Sequence, residues 1–285
     1  MSYRKGDRVR HPNLDDWGLG EVLENSSAKE VRVFFVGVGE KRLSLEHVKP
    51  VKVADSDAAH PVLDNLSVSS ISSGIRYQSL EDSIDRFLSA FPQGFHGDKF
   101  WGQERCYKEK AHNLAKELLQ REDLHELAQR DAHSEIVRRA LQLSNATNLI
   151  FPNEKMALRD GLASEGAMEQ FATTLFDLLH GNSSDEKRFV RFFDVLELIG
   201  AAKWPIATYF TFFLQPDRHM FVKPAITQHA AKLCAFEISY ESRLNWATYS
   251  RVLGLADYLL DELAELKPRD MIDVQSFMWC IADHS

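Results

Sequence analysis

The hydrophobic period of this chain changes once along its length, and that change dictates its architecture. Between Gly6 and Val51 apolar and polar residues alternate: Arg8-Val9-Arg10, Gly20-Glu21-Val22-Leu23-Glu24, Glu30-Val31-Arg32-Val33-Phe34-Phe35, Arg42-Leu43-Ser44-Leu45 and Val48-Lys49-Pro50-Val51. A period of two puts successive side chains on opposite faces of a strand, so five short strands are expected. Asn25-Ser26-Ser27 and Gly37-Val38-Gly39-Glu40 supply turns, the second with glycines free to take positive φ. Five strands in so few residues have too little core as a flat sheet, so a small barrel over residues 1–53 is expected.

From Ser79 onward the apolar residues recur every three to four positions. Ile84, Phe87, Leu88 and Phe91 share one face of a segment that Pro92 stops. Ser183-Ser184-Asp185-Glu186 has the form of a capping box ahead of Phe189, Phe192, Phe193, Leu196 and Ile199, a stripe ending at Gly200. A further helix is expected near Asn245, with Trp246, Tyr249, Leu253, Ala256, Leu260 and Leu263 on its core face. Eight to ten helices and no strand are expected over 79–285. Between the two regions, residues 54–78 contain Ser67-Val68-Ser69-Ser70-Ile71-Ser72-Ser73-Gly74 and read as a flexible polar linker. The expected fold class is therefore α+β in two domains, a five-stranded barrel followed by an all-α domain.

Composition narrows the function. With 285 residues, 44% hydrophobic and 27% charged, the chain can bury a sizeable core. Its longest apolar runs, such as Phe210-Thr211-Phe212-Phe213-Leu214, fall far below the ~20 residues that cross a bilayer, and the basic first residues lead into no apolar signal segment. A cytoplasmic protein without membrane association is expected. Cys106, Cys234 and Cys280 are too sparse for a disulfide framework or a zinc site and read as small buried hydrophobes. The net charge is -8, yet residues 1–52 hold ten Lys/Arg against eight Asp/Glu. A coat of nucleic acid is disfavoured, and a local basic face remains possible only at the N-terminus.

The N-terminal residues carry a resemblance. Gly6-Asp7-Arg8-Val9-Arg10-His11-Pro12, Trp17-Gly18-Leu19-Gly20-Glu21-Val22, Val31-Arg32-Val33-Phe34-Phe35 and Gly39-Glu40-Lys41-Arg42-Leu43 resemble small bacterial Tudor/KOW-like domains. They are similar to the C-terminal domain of UvrD/PcrA-type helicases and to the RNA-polymerase-interacting domain of CarD-type regulators. The resemblance covers about a sixth of the chain. It implies an SH3/Tudor-like barrel that docks without catalysis on RNA polymerase, on a DNA-repair or processing enzyme, or on nucleic acid. The first loop, Pro12-Asn13-Leu14-Asp15-Asp16-Trp17, is longer and more acidic than the helicase version. From the residues alone, Arg8, Arg10, His11, Lys41 and Arg42 make a candidate partner-binding rim with Trp17 as its aromatic anchor; the alternative is that Trp17 plugs the barrel end. Gly18-Leu19-Gly20 lacks the third glycine and the following helix of a dinucleotide fingerprint.

In the helical region two segments mix aromatic and polar residues. Prolines at 205, 216 and 224 throw Trp204, His219 and Lys223 toward loops, and 268–279 contributes Arg269, Asp273, Gln275 and Trp279. If the two segments meet, these seven residues line a pocket for a base, a nucleotide or a peptide. The simpler reading has Asp270 and Asp273 serving the positive end of a helix dipole. No P-loop, HExxH or metal-ligand spacing occurs, so no metal and no cofactor is expected. Arg105 and His112, two helical turns apart, match the Arg-x(4–6)-His element of HEPN-type ribonucleases, a resemblance that implies a metal-independent attack through the RNA 2′-hydroxyl. Three functions follow as expectations: a non-enzymatic bacterial adapter, a ribonuclease using Arg105 and His112, and a base-binding pocket protein of phage-defence or modification-sensing type.

Overall fold

The computed structural model describes residues 2–66 and 80–282. Five strands form one antiparallel sheet: β1 (Arg8–Arg10), β2 (Leu19–Val22), β3 (Glu30–Phe35), β4 (Gly39–Ser44) and β5 (Val51–Lys52), in the order β4-β3-β2-β1-β5. The first four make a meander, and β5 returns to pair with β1. Alternation sorts the side chains as the period of two requires. Val9, Val22, Val31, Val33, Phe35 and Leu43 bury together with Tyr3, whose hydroxyl donates to the Pro50 carbonyl at 2.8 Å. Gly20 faces this core, where a Cβ would come within 2.7–2.8 Å of Phe35 and Val33. The Gly18-Leu19-Gly20 motif is thus a packing device, with Gly18 at φ 68° leaving the short helical turn Asp15–Trp17.

The opposite face carries a cross-strand row of Arg8, Glu21, Phe34 and Glu40. Phe34 is fully buried although it points away from the inner core. Arg8 pairs with Glu21, and with Asp64 at 2.6 Å. Asp64 closes α1 (Pro61–Asp64), which begins at His60, whose Nδ1 accepts the Val62 amide. Within the expected linker, then, residues 61–64 are helical, and Leu66 forms an isolated antiparallel bridge with Phe236. The serine-rich stretch 67–74 lies outside the described residues.

The remaining helices among the described residues are α2 (Leu80–Ala90), α3 (Asp98–Phe100), α4 (Cys106–Leu118), α5 (Arg121–Gln129), α6 (His133–Ser144), α7 (Pro152–Gly161), α8 (Glu165–His180), α9 (Asp185–Leu198), α10 (Trp204–Leu214), α11 (Pro224–Leu233), α12 (Trp246–Glu262) and α13 (Met271–Ile281). A π-helical turn, Trp101–Arg105, joins α3 to α4. The chain divides into two compact units, one of Met1–Pro92, Gln228–Ile238 and Cys280–Ser285, the other of Gln93–Thr227 and Ser239–Trp279. The helical residues are thus not all in one unit, as a simple barrel-then-helices order would have it.

Inside the second unit α10 is the hub. Its residues from Trp204 to Phe213 are all buried, and Phe210 packs against Phe171 of α8 and Phe192 of α9. A helix apolar on every side belongs in the middle of a bundle. Asn245 caps α12 by accepting the Thr248 amide at 2.7 Å. The capping box expected at 183–186 does not form: Ser184 occupies the cap position, but its side chain makes no capping hydrogen bond. Arg188 instead pairs with Asp185 and donates to the Leu178 carbonyl at 2.8 Å, tying α9 to the end of α8. Of the three cysteines only Cys234 is buried, and burial pushes its thiol up to about 12. No helix among the described residues is long and apolar enough to cross a membrane.

Candidate functional site

A cleft of about 1030 Å³ opens in the second unit. It is built where the π turn and α4, the loop 146–151, the entry to α11, and α13 converge. Tyr107, Leu149, Phe151, Pro205, Phe221 and Trp279 give it an apolar and largely aromatic wall. Phe151 and Trp279 remain exposed at the surface. That size and lining match small-molecule sites, which combine apolar walls with a few polar groups.

Four charged side chains line it, Lys108, Lys223, Glu104 and Glu154. Lys108 is almost wholly buried; its ammonium donates to Ser276 Oγ at 2.7 Å and to Glu104 at 3.2 Å. Lys223 donates to the Leu149 carbonyl at 2.8 Å with its Nζ 3.6 Å from the Phe151 ring centroid, a cation–π contact. Burial lowers the pKa of Lys223, with the charge of Glu154 acting the other way. Two ammonium groups against two carboxylates leave the cleft close to neutral. Gln275 differs from these: it is 4% exposed, its Oε1 is buried without a hydrogen-bond partner, and its side-chain amide bonds to no other described residue. A buried amide oxygen without a partner costs free energy.

Of the seven residues expected to form a pocket, the cleft brings together Lys223, Gln275 and Trp279. Trp204 lies instead inside the bundle, its Nε1 donating to the Glu241 carbonyl at 2.8 Å and its ring against Phe193 and Tyr249. His219 is buried against Phe189. Arg269 and Asp273 belong to a separate ion cluster. There Asp273, with no exposed surface, accepts from Arg269 at 2.9 Å and from Arg105 at 3.1 Å. The segments 203–224 and 268–279 therefore do share a cleft, but through Pro205, Phe221 and Lys223 on one side and Gln275 and Trp279 on the other. Sequence reading missed Tyr107, Lys108 and Phe151, which lie on segments far from both.

The ribonuclease pair is not assembled as an open site. Arg105 is 3% exposed and holds Glu109, Asp270 and Asp273, which raise its pKa against the opposing effect of burial. His112 Nδ1 lies 2.6 Å from the Phe213 carbonyl. Asp270 is the partner of Arg105 and also accepts the Ile272 amide at 2.9 Å, the dipole role expected of it.

The rim expected on the N-terminal sheet is split between faces. Arg8, Arg10 and Arg42 point outward, and Arg8 is committed to Glu21 and Asp64. His11, Trp17 and Lys41 gather at the inner end: His11 is buried with its ring 4.7 Å from Trp17, Trp17 packs on Phe35 at 5.1 Å, and the Lys41 ammonium lies 5.7 Å from the Trp17 ring. Trp17 thus closes the end of the apolar core, and only Arg10 and Arg42 of the six are exposed. Among the described residues no group of three or more His, Cys, Asp or Glu is arranged to hold a metal ion.

An antiparallel five-stranded sheet domain and a helical bundle with a ligand-sized cleft define a two-part α+β protein. Residues 3–53 match a family described as a protein of unknown function (DUF3553), about the span of the sheet. No curated protein and no solved structure matches the chain.

Proposed function

We propose that this chain is a non-enzymatic binding protein of the bacterial cytoplasm, in which an N-terminal Tudor/KOW-like barrel docks on transcription or repair machinery and the helical unit receives a ligand. The observation that carries the reading is the cleft, with its aromatic wall and the uncommitted amide of Gln275. The return of β5 to β1 is the strand order that such a barrel requires, and Arg10 and Arg42 are the charges free to meet a partner. A catalytic role has less support, since Arg105 and His112 are each held by groups of the bundle itself.

Full-length chain used as bait in a bacterial lysate tests the docking role. RNA polymerase or a nucleic-acid-processing enzyme should be recovered, and recovery should drop at least tenfold when Arg10→Glu and Arg42→Glu are combined. Recovery of neither class, or undiminished recovery by the double variant, overturns the proposal.

A further inference from the structure

We infer that the cleft of the helical unit binds a nucleobase presented as a free base or nucleoside, with its edge on Gln275. The inference rests on the reading of the cleft as a ligand site. Three observations lead to it.

The first is the amide. A carboxamide presents a donor and an acceptor side by side, and its complement is a rigid edge bearing the opposite pair. Nucleobases carry such edges, and Gln pairs bidentately with adenine through an exocyclic amine and a ring nitrogen. Gln275 has neither half of its amide engaged by a described residue, and its oxygen is buried in the cleft wall. A rotation of the side-chain amide would carry that buried oxygen to the cleft, where an N–H donor from a ligand would satisfy it.

The second is the wall. Tyr107, Phe151, Phe221 and Trp279 line the cleft, and aromatic side chains hold flat heterocycles by stacking irrespective of their precise substituents. A flexible aliphatic ligand would use the volume but not the planarity of these rings.

The third is charge, which separates a nucleoside from its charged relatives. Lys108 and Lys223 face Glu104 and Glu154 across the same cleft, and Lys108 is already bonded to Glu104 and Ser276. Nothing there compensates several phosphate charges. The chain beyond residue 52 carries about ten more acidic than basic residues, so a nucleic-acid strand is repelled as well. A neutral base or nucleoside satisfies the amide and the rings without that penalty.

The test uses full-length protein and 1-anilinonaphthalene-8-sulfonate, a fluorescent aromatic anion, as a probe of the cleft. Ala225 is an exposed residue of the cleft wall, and Ala225→Trp should fill the site and abolish the bound fluorescence. Adenosine should displace the dye from the unmodified protein. Gln275→Leu should keep the dye and weaken adenosine at least tenfold, and the isosteric Gln275→Glu, which lacks the donor, should weaken it likewise. ATP should bind no tighter than adenosine. If Ala225→Trp blocks the dye but adenosine does not displace it, or displaces it equally well from Gln275→Leu, the nucleobase assignment is overturned while the cleft remains a ligand site. ATP binding tenfold tighter than adenosine overturns the charge argument. Dye binding that is absent, or indifferent to Ala225→Trp, together with no adenosine binding, takes down the reading of the cleft itself.

Discussion

His219 is buried beside Phe189, their ring centroids 5.5 Å apart, and neither of its ring nitrogens has a hydrogen-bond partner among the described residues. Burial pushes its pKa down to about 4, while Asp185 and Asp217 pull it up and Arg218 and Arg188 push it down. The folded state therefore holds a neutral imidazole at a pH where the unfolded chain, titrating near 6.5, takes up a proton. Stability should be unaffected by this group above about pH 6.5 and should fall as pH drops toward 4, by on the order of 3 kcal/mol in all. Urea unfolding at pH 7.5 and 4.5 measures it, and His219→Leu should flatten the difference; an unchanged pH dependence in the variant refutes the assignment. The same residue marks a limit of sequence reading. Prolines at 216 and 224 announce a loop, and a histidine there reads as available, but whether a loop side chain turns inward depends on partners remote in sequence. Trp204 and Gln275, both expected in one pocket, parted for that reason. Trp204 began a helix that became the hub, whereas Gln275, on a helix of mostly buried residues, faces the cleft.

At the scale of elements, the junction of α4 with α13 is fixed by charge. Arg105 holds Asp270 and Asp273, and Arg269 completes the set by pairing with Asp273 and donating to the Phe95 carbonyl at 2.5 Å. Removing Arg105 would leave Asp273 buried with one cation, and Arg105→Met should cost about 3–5 kcal/mol in denaturant unfolding. Adding Asp270→Asn should restore part of that loss, because one unpaired carboxylate disappears; strictly additive losses would deny the coupling. The elements differ in how legible they were. β3 was visible at its full length because Glu30-Val31-Arg32-Val33 alternates, Phe34-Phe35 continues it in strand-favouring residues, and turns bound both ends. In α12 the start at Asn245 was legible from its cap and the core face only in part: Tyr249, Ala256 and Leu263 are buried as expected, Val252, Leu255 and Leu259 join them, and Trp246, Leu253 and Leu260 are only half buried. Apolar residues surround that helix, and a pattern apolar on several sides does not say which side faces inward. The capping box at 183–186 failed because the helix caps at Ser184 rather than Ser183, which puts Lys187 in the third position where the box needs a Glu or Gln.

For the whole molecule, charge is the governing quantity. With a net -8 and its basic excess confined to the first 52 residues, the full chain should bind random duplex DNA more weakly than about 10⁻⁴ M at 150 mM salt. Fluorescence anisotropy over a salt series checks this; tight binding that falls with a log–log slope near about -6 would reveal a basic face unseen in the charge distribution. The expected order of sheet then helices holds, yet the compact units do not follow it, since Gln228–Ile238 belongs with the sheet unit, where Phe236 bridges Leu66. One antiparallel bridge between residues 170 positions apart leaves no periodic trace in either segment.

The five-residue π turn ahead of α4 has a genetic corollary. Relative to regular α-helix it accommodates one residue too many, so removal of a single codon within 101–105 would let the helix run through unbroken. The wider turn already absorbs the roughly 100° that an added helical residue would contribute, so the residues on either side would keep their angular positions and only the bulge would disappear. Loss of the codon for Gln103 or for Glu104 would take that one side chain from the cleft while the rest of the wall stayed put. A single in-frame event could thus edit the polar lining of the cleft at one position without turning the rest of its wall.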